Sequence, residues 1–174
     1  YVDKYLIKIS LGSTMLLAYA VPQLIAAKLA IFSQAMTSVL LPKLSATKNE
    51  KQKKNILSAN LYFFSNLMGF SLIIILPFFD KILPWWLKSS YNLDILKLFK
   101  IFILFTFLSC LSNIIVAFYE ATLVSKKNTM YETVSIVPFC IGLGICLYYQ
   151  NIFLFAFLLL FKEFIMLYVR IKSV

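Results

Sequence analysis

Five long apolar stretches, roughly residues 13–41, 56–79, 101–124, 130–149 and 151–170, occupy most of the chain. Each is long enough to cross the hydrocarbon core of a bilayer, which takes about 20 predominantly apolar residues as a helix. In lipid the backbone must satisfy its own hydrogen bonds, so only helices and closed barrels span. These stretches are too long and too evenly apolar for barrel strands, which alternate over about ten residues. The composition agrees: 61% of the 174 residues are hydrophobic and 17% aromatic, whereas soluble domains are roughly 45–50% apolar. A soluble domain of this length cannot hide so much apolar surface in one core. The expected fold is all-α, a polytopic transmembrane helix bundle of about five spans.

The polar residues between the spans set its orientation. The net charge is +10, but the lysines cluster between apolar runs, so their partner is the membrane surface and nucleic acid is not expected. The densest cluster is "LLPKLSATKNEKQKKN", Leu40 to Asn55. With five crossings, residues 42–55, 125–129 and the C-terminal tail share one side. That side holds nine Lys/Arg: Lys43, Lys48, Lys51, Lys53, Lys54, Lys126, Lys127, Arg170 and Lys172. The other holds six: Lys4, Lys8, Lys81, Lys88, Lys97 and Lys100. The positive-inside rule makes the richer side cytoplasmic. Trp85 and Trp86 mark the opposite interface, and residues 149–151 form a tight uncharged turn. Residues 1–12 do not make a span. With Asp3, Lys4 and Lys8 they read as the end of a preceding, truncated helix, and 13–174 as a C-terminal transmembrane lobe. The chain begins at Tyr1 and shows no signal peptide, so a piece of a longer protein is expected.

Catalytic chemistry finds little to use. There is no histidine, hence neither the commonest general base nor the commonest metal ligand. Cys110, Cys140 and Cys146 lie inside apolar runs, odd in number, and read as packing residues rather than a disulfide framework. The sequence has no Asp-x-Asp pair, no Gly-rich phosphate loop and no Ser/His/Asp or Cys/His set. No catalytic, cofactor-binding or metal-binding residue is assigned, and an enzyme is not expected.

Polar groups within the spans are costly in lipid and mark partners or wet faces. In the third span Thr106, Ser109, Cys110, Asn113, Ala117 and Glu120 recur on one helical face. That face is either a water-lined cavity or a small-residue seam with hydrogen bonds across it. In the first span Tyr19, Gln23, Ala27, Ala30, Gln34 and Ser38 share a similar face, and Pro22 is a candidate kink. Lys28 lies mid-span, about 140° from Gln23 at 100° per residue, too deep to snorkel easily. It faces a cavity or pairs with an acid on another helix. Lys162 and Glu163 are adjacent in the last span and need separate partners, with Lys28 a candidate for Glu163. Alternatively the last span ends near Phe161 and the remainder lies along the interface.

The order of local motifs resembles the second half of a polysaccharide (O-antigen/oligosaccharide) flippase, within the multidrug/oligosaccharidyl-lipid/polysaccharide exporter superfamily. "VDKYLI" (Val2 to Ile7) followed by Gly12 resembles the end of the helix that opens that half. "YAVPQ" (Tyr19 to Gln23) and "LLPKLS" (Leu40 to Ser45) resemble the next helix. "LPWWL" (Leu83 to Leu87) resembles an external turn, and Asn113 with "FYEATL" (Phe118 to Leu123) a helix end. The resemblance implies most of one lobe of a two-lobe transporter in the bacterial inner membrane. It implies alternating access for an oligosaccharide carried on undecaprenyl diphosphate, with the N-terminal half of the same transporter as partner. It makes Lys28 first and Lys4 second as counter-charges for the diphosphate. Gln23, Gln34, Asn113 and Glu120 become cavity-lining groups. A cation-coupled multidrug exporter is the alternative in the same class, and a membrane-bound glycan polymerase or acyltransferase the alternative outside it.

Overall fold

The computed structural model describes residues 2–88, 92–122 and 125–173. Six helices follow one another: α1 (Val2–Lys28), α2 (Ala30–Ala46), α3 (Glu50–Leu87), α4 (Leu93–Ala121), α5 (Ser125–Tyr148) and α6 (Ile152–Ser173). Among the described residues there is no strand. Five helical stretches are long and apolar enough to cross a membrane, the first running through α1 and α2. The all-α spanning bundle is therefore what the long apolar runs imply. The last two residues of the expected 101–124 span lie outside the described residues.

Helix α1 is two helices joined at Gly12, where φ is 83° and ψ is 175°. A φ in that region suits glycine, which has no Cβ to clash. The chain folds back there. In one straight helix Asp3 and Tyr19 would be about 24 Å apart at 1.5 Å per residue, yet the Tyr19 hydroxyl donates to Asp3 Oδ2 at 2.9 Å. Residues 2–11 thus form a short helix lying back along 13–28, with Ile7 wholly buried beside Ala18 and Tyr19. Pro22 sits inside the second part. The interruption between α1 and α2 comes later, at Leu29.

The basic segment 42–55 is helical at both ends rather than a loop, leaving only residues 47–49 non-helical. Lysines are good helix formers and need no loop to reach water. Asn49 caps α3, its side chain accepting from Lys51 N and Gln52 N, which supplies partners for first-turn donors. Asn92 caps α4 by accepting from Asp94 N at 3.2 Å. Asn151 caps α6 by accepting from Phe153 N at 2.9 Å. Three helices therefore start at an asparagine cap. From Lys54 to Trp85 α3 is about 46 Å long, close to the roughly 40–45 Å of a bilayer with its headgroups. Helix α6 continues through Ser173 without a break at Phe161, so its second half does not turn aside.

Helix α4 is the centre of the bundle, packing against α1, α2, α3, α5 and α6. Leu98, Phe99, Phe102 and Ile103 join Tyr19, Phe155 and Ala156 in one apolar cluster. Cys110, Ile114 and Phe118 join Leu40, Leu44 and Phe64 in a second. The α1–α2 stretch beyond Gly12 and α4 thus run parallel and in step. All three cysteines are free.

Candidate substrate-facing surface

Most polar side chains in the spans turn back onto their own helix. Ser10, Ser45 and Ser71 donate to the carbonyl four residues earlier. Asn60 and Asn66 do the same to Ile56 and Tyr62. This local bond hides the polar group from lipid. Gln34, Asn113 and Glu120 behave differently. All three are exposed, and among the described residues their side chains make no hydrogen bond or ion pair.

These three continue a line that starts in a pocket. Asp3, Lys4, Gln23, Leu24, Ala27, Phe102, Phe105 and Thr106 surround a cavity of about 340 Å³. Asp3 Oδ2 accepts from Tyr19 at 2.9 Å and from Gln23 Nε2 at 3.3 Å. Tyr19 is 0% exposed, its ring edge-on to Phe102 at 5.0 Å and to Phe155 at 5.5 Å. Gln23 Oε1 is buried without a hydrogen-bond partner. An acceptor left so costs about 1–3 kcal/mol, and a hydroxyl or water in the pocket would satisfy it. From Thr106 the helical period leads to Asn113 and then Glu120, each step about 20° off. From Gln23 it leads to Gln34, also about 20° off. The result is a polar stripe along the seam of α1–α2 and α4, exposed on the outside of the bundle.

The sequence-derived candidates therefore separate into groups. Lys4 and Gln23 come together in the pocket, and Gln34, Asn113 and Glu120 extend it. The third-span face is not uniformly interior: Thr106, Cys110 and Ala117 are buried while Asn113 and Glu120 are exposed. Burial there follows what packs on α4, and among the described residues nothing packs over its Asn113 side. Lys28 is exposed at the α1–α2 break and, among the described residues, carries no ion pair.

Lys162 and Glu163 belong to a different cluster, centred on a residue that sequence reasoning counted only as a tail charge. Arg170 is 4% exposed. Its guanidinium donates to Glu132, to Asn128 Oδ1 at 3.0 Å, and lies 3.8 Å from Glu163 Oε1. The acid's partner is thus Arg170, seven residues on along the same helix face, and not Lys28. Lys162 reaches Glu132 at 3.8 Å and stands over the Phe139 ring at 5.2 Å. Tyr119 of α4 donates to the Arg170 carbonyl at 3.1 Å and also contacts Ser173. Two acids and two bases cancel, so the cluster fastens α5 and α4 to the end of α6. The Glu163–Arg170 spacing was visible in the sequence; Glu132, one helix away, was not.

No family model, curated protein or solved structure matches this chain.

Proposed function

We propose that the chain is the C-terminal lobe of a polysaccharide flippase, moving an undecaprenyl diphosphate-linked oligosaccharide across the bacterial inner membrane by alternating access. The observation that carries this reading is the polar stripe. A line of unpartnered amides and a carboxylate along a membrane span is costly against lipid. It is satisfied if the stripe faces a wet cleft closed by another lobe. Amides suit sugar hydroxyls because each offers both donors and an acceptor. Lys4, in the pocket, is better placed than Lys28 to attract the diphosphate. A drug exporter would use the same cleft, but a stripe of Gln and Asn matches hydroxyls better than apolar cations. In the proposed topology residues 42–55, residues 125–129 and the C-terminus are cytoplasmic, and Trp85–Trp86 is external.

The test is glycan export by the full-length transporter. Asn113→Leu and Lys4→Met should lower export at least tenfold with normal protein level. Ile74→Ala, on an exposed apolar face of α3, should not. Normal export by both stripe variants would overturn the assignment. Labelling of Lys51→Cys but not Lys88→Cys by an impermeant thiol reagent in intact cells would overturn the topology.

A further inference from the structure

Helices α5 and α6 are antiparallel, and their contacts fix the register. Asn128 meets Arg170, Phe139 meets Lys162, and a Cβ on Gly142 would come within 2.6 Å of Leu158 Cδ1. Each pair sums to about the same number, which places Lys126 and Lys127 level with Lys172. Between the Gly142–Leu158 contact and that lysine end the two helices leave an open gap on one face, beside their Asn128–Arg170 and Phe139–Lys162 contacts. The gap is a groove of about 500 Å³, lined by residues that include Met130, Val134, Pro138, Phe161, Ile165 and Val169. From Met130 to Phe139 it extends about 14 Å along α5.

The mouth of the groove has an unusual charge arrangement. Lys126 and Lys127 occupy the first turn of α5, which contains no acid. Cations there oppose the positive end of the helix dipole, where an anion is favoured. Lys126, Lys127 and Lys172 are exposed and, among the described residues, have no ion-pair partner. The nearby acids are taken: Glu132 by Arg170 and Lys162, Glu163 by Arg170. Lys162 lines the groove but is held by Glu132 and Phe139.

We infer that this groove is a binding site for an anionic phospholipid. One acyl chain lies between α5 and α6, and the phosphate sits against Lys126, Lys127 and Lys172 at the α5 N-terminus. An apolar slot at membrane depth takes hydrocarbon. A basic rim at its headgroup end selects the anion, as basic pockets between spanning helices do. The inference requires only that the chain lies in a membrane, and stands apart from the transport reading.

The full protein is reconstituted in phosphatidylcholine bilayers doped with phosphatidylglycerol carrying a diazirine in one acyl chain. The same chain on phosphatidylcholine is the reference. After photolysis, adducts are mapped by mass spectrometry. Adducts on segments 130–139 and 158–169 should be about fivefold or more abundant with phosphatidylglycerol, the factor one well-placed lysine supplies. The triple variant Lys126→Gln, Lys127→Gln, Lys172→Gln should bring the ratio to about one. The triple variant Lys48→Gln, Lys51→Gln, Lys54→Gln, with equal charge loss at the other basic cluster, should leave it unchanged. Val134→Trp should reduce adducts from both lipids by filling the slot. Inorganic phosphate should not compete. A ratio near one in the parent protein overturns the inference. So does an equal drop in both triple variants, or competition by free phosphate.

Discussion

Helices α4 and α5 are both apolar enough to cross a bilayer, yet they stand at opposite ends of the packing scale. In their most apolar windows 56% of α4 is buried and 6% of α5. Hydropathy ranks the two helices the same way, 2.4 against 1.7, but does not set the size of the gap. Helix α6, with a mean hydropathy of 2.3 against 2.4 for α4, is only 28% buried. The α1–α2 stretch, at 1.8, is 22% buried where α5, at 1.7, is 6%. Lipid tails are as apolar as leucine, so greasiness gives a helix no preference for protein over bilayer. What separates α4 from α5 is how other helices fit against it. Aromatic and branched side chains interdigitate around α4. Helix α5 is held at one end by charges and at the other by a short contact through Gly142, Leu143 and Cys146.

The comparison breaks first, and hardest, in the α4 core. Phe102→Ala should cost about 3–5 kcal/mol, since its ring packs against Tyr19. Ile141→Ala on α5, which is exposed, should stay within about 0.5 kcal/mol. Thermal unfolding of the purified protein in a mild detergent measures both. Equal losses would mean that α5 is as firmly packed as α4.

A smaller effect isolates the charge cluster. Arg170→Met strands Glu132 and Glu163 and should cost about 3 kcal/mol, at the low end for a broken buried pair, because Glu132 is 45% exposed. Neutralising both acids as well, with Glu132→Gln and Glu163→Gln, should recover most of it. The specific sign of α5 release is Cys146, buried against the bundle, while Cys140 on the same helix is already exposed. N-ethylmaleimide should label Cys146 faster in Arg170→Met, with Cys140 unchanged. Unaltered Cys146 protection would show that apolar packing, not charge, holds α5.

The smallest effect sharpens the comparison within α5. An added Cβ at Gly142 meets Leu158, whereas at Gly144 it meets nothing within 4 Å. Gly142→Ala should destabilise by about 1 kcal/mol as Leu158 shifts. Gly144→Ala should be neutral or stabilising by up to about 1 kcal/mol from helix propensity. The reverse order would place the α5–α6 contact elsewhere.

The stretches of sequence with a single physical reading were legible. Lipid demands internally satisfied backbone over a fixed thickness, so five apolar runs named five spans whatever their neighbours. The Gln23–Gln34 and Thr106–Asn113–Glu120 lines were also visible, because a helical face depends only on the 3.6-residue period. Asn49, Asn92 and Asn151 were equally readable as caps, because a cap depends only on the residue before the first helical turn. The remainder depends on which helix meets which, and no local rule carries that. Asp3 finds Tyr19 only because the chain reverses at Gly12. Glu132 reaches Arg170 and Lys162 only because α5 packs beside α6. Asn113 faces outward because the five helices around α4 pack against its other sides. Composition and period determined that this chain spans a membrane and which residues share a face. Only the tertiary packing decided which faces are covered, since in a bilayer that choice rests on shape and hydrogen bonding rather than on hydrophobicity.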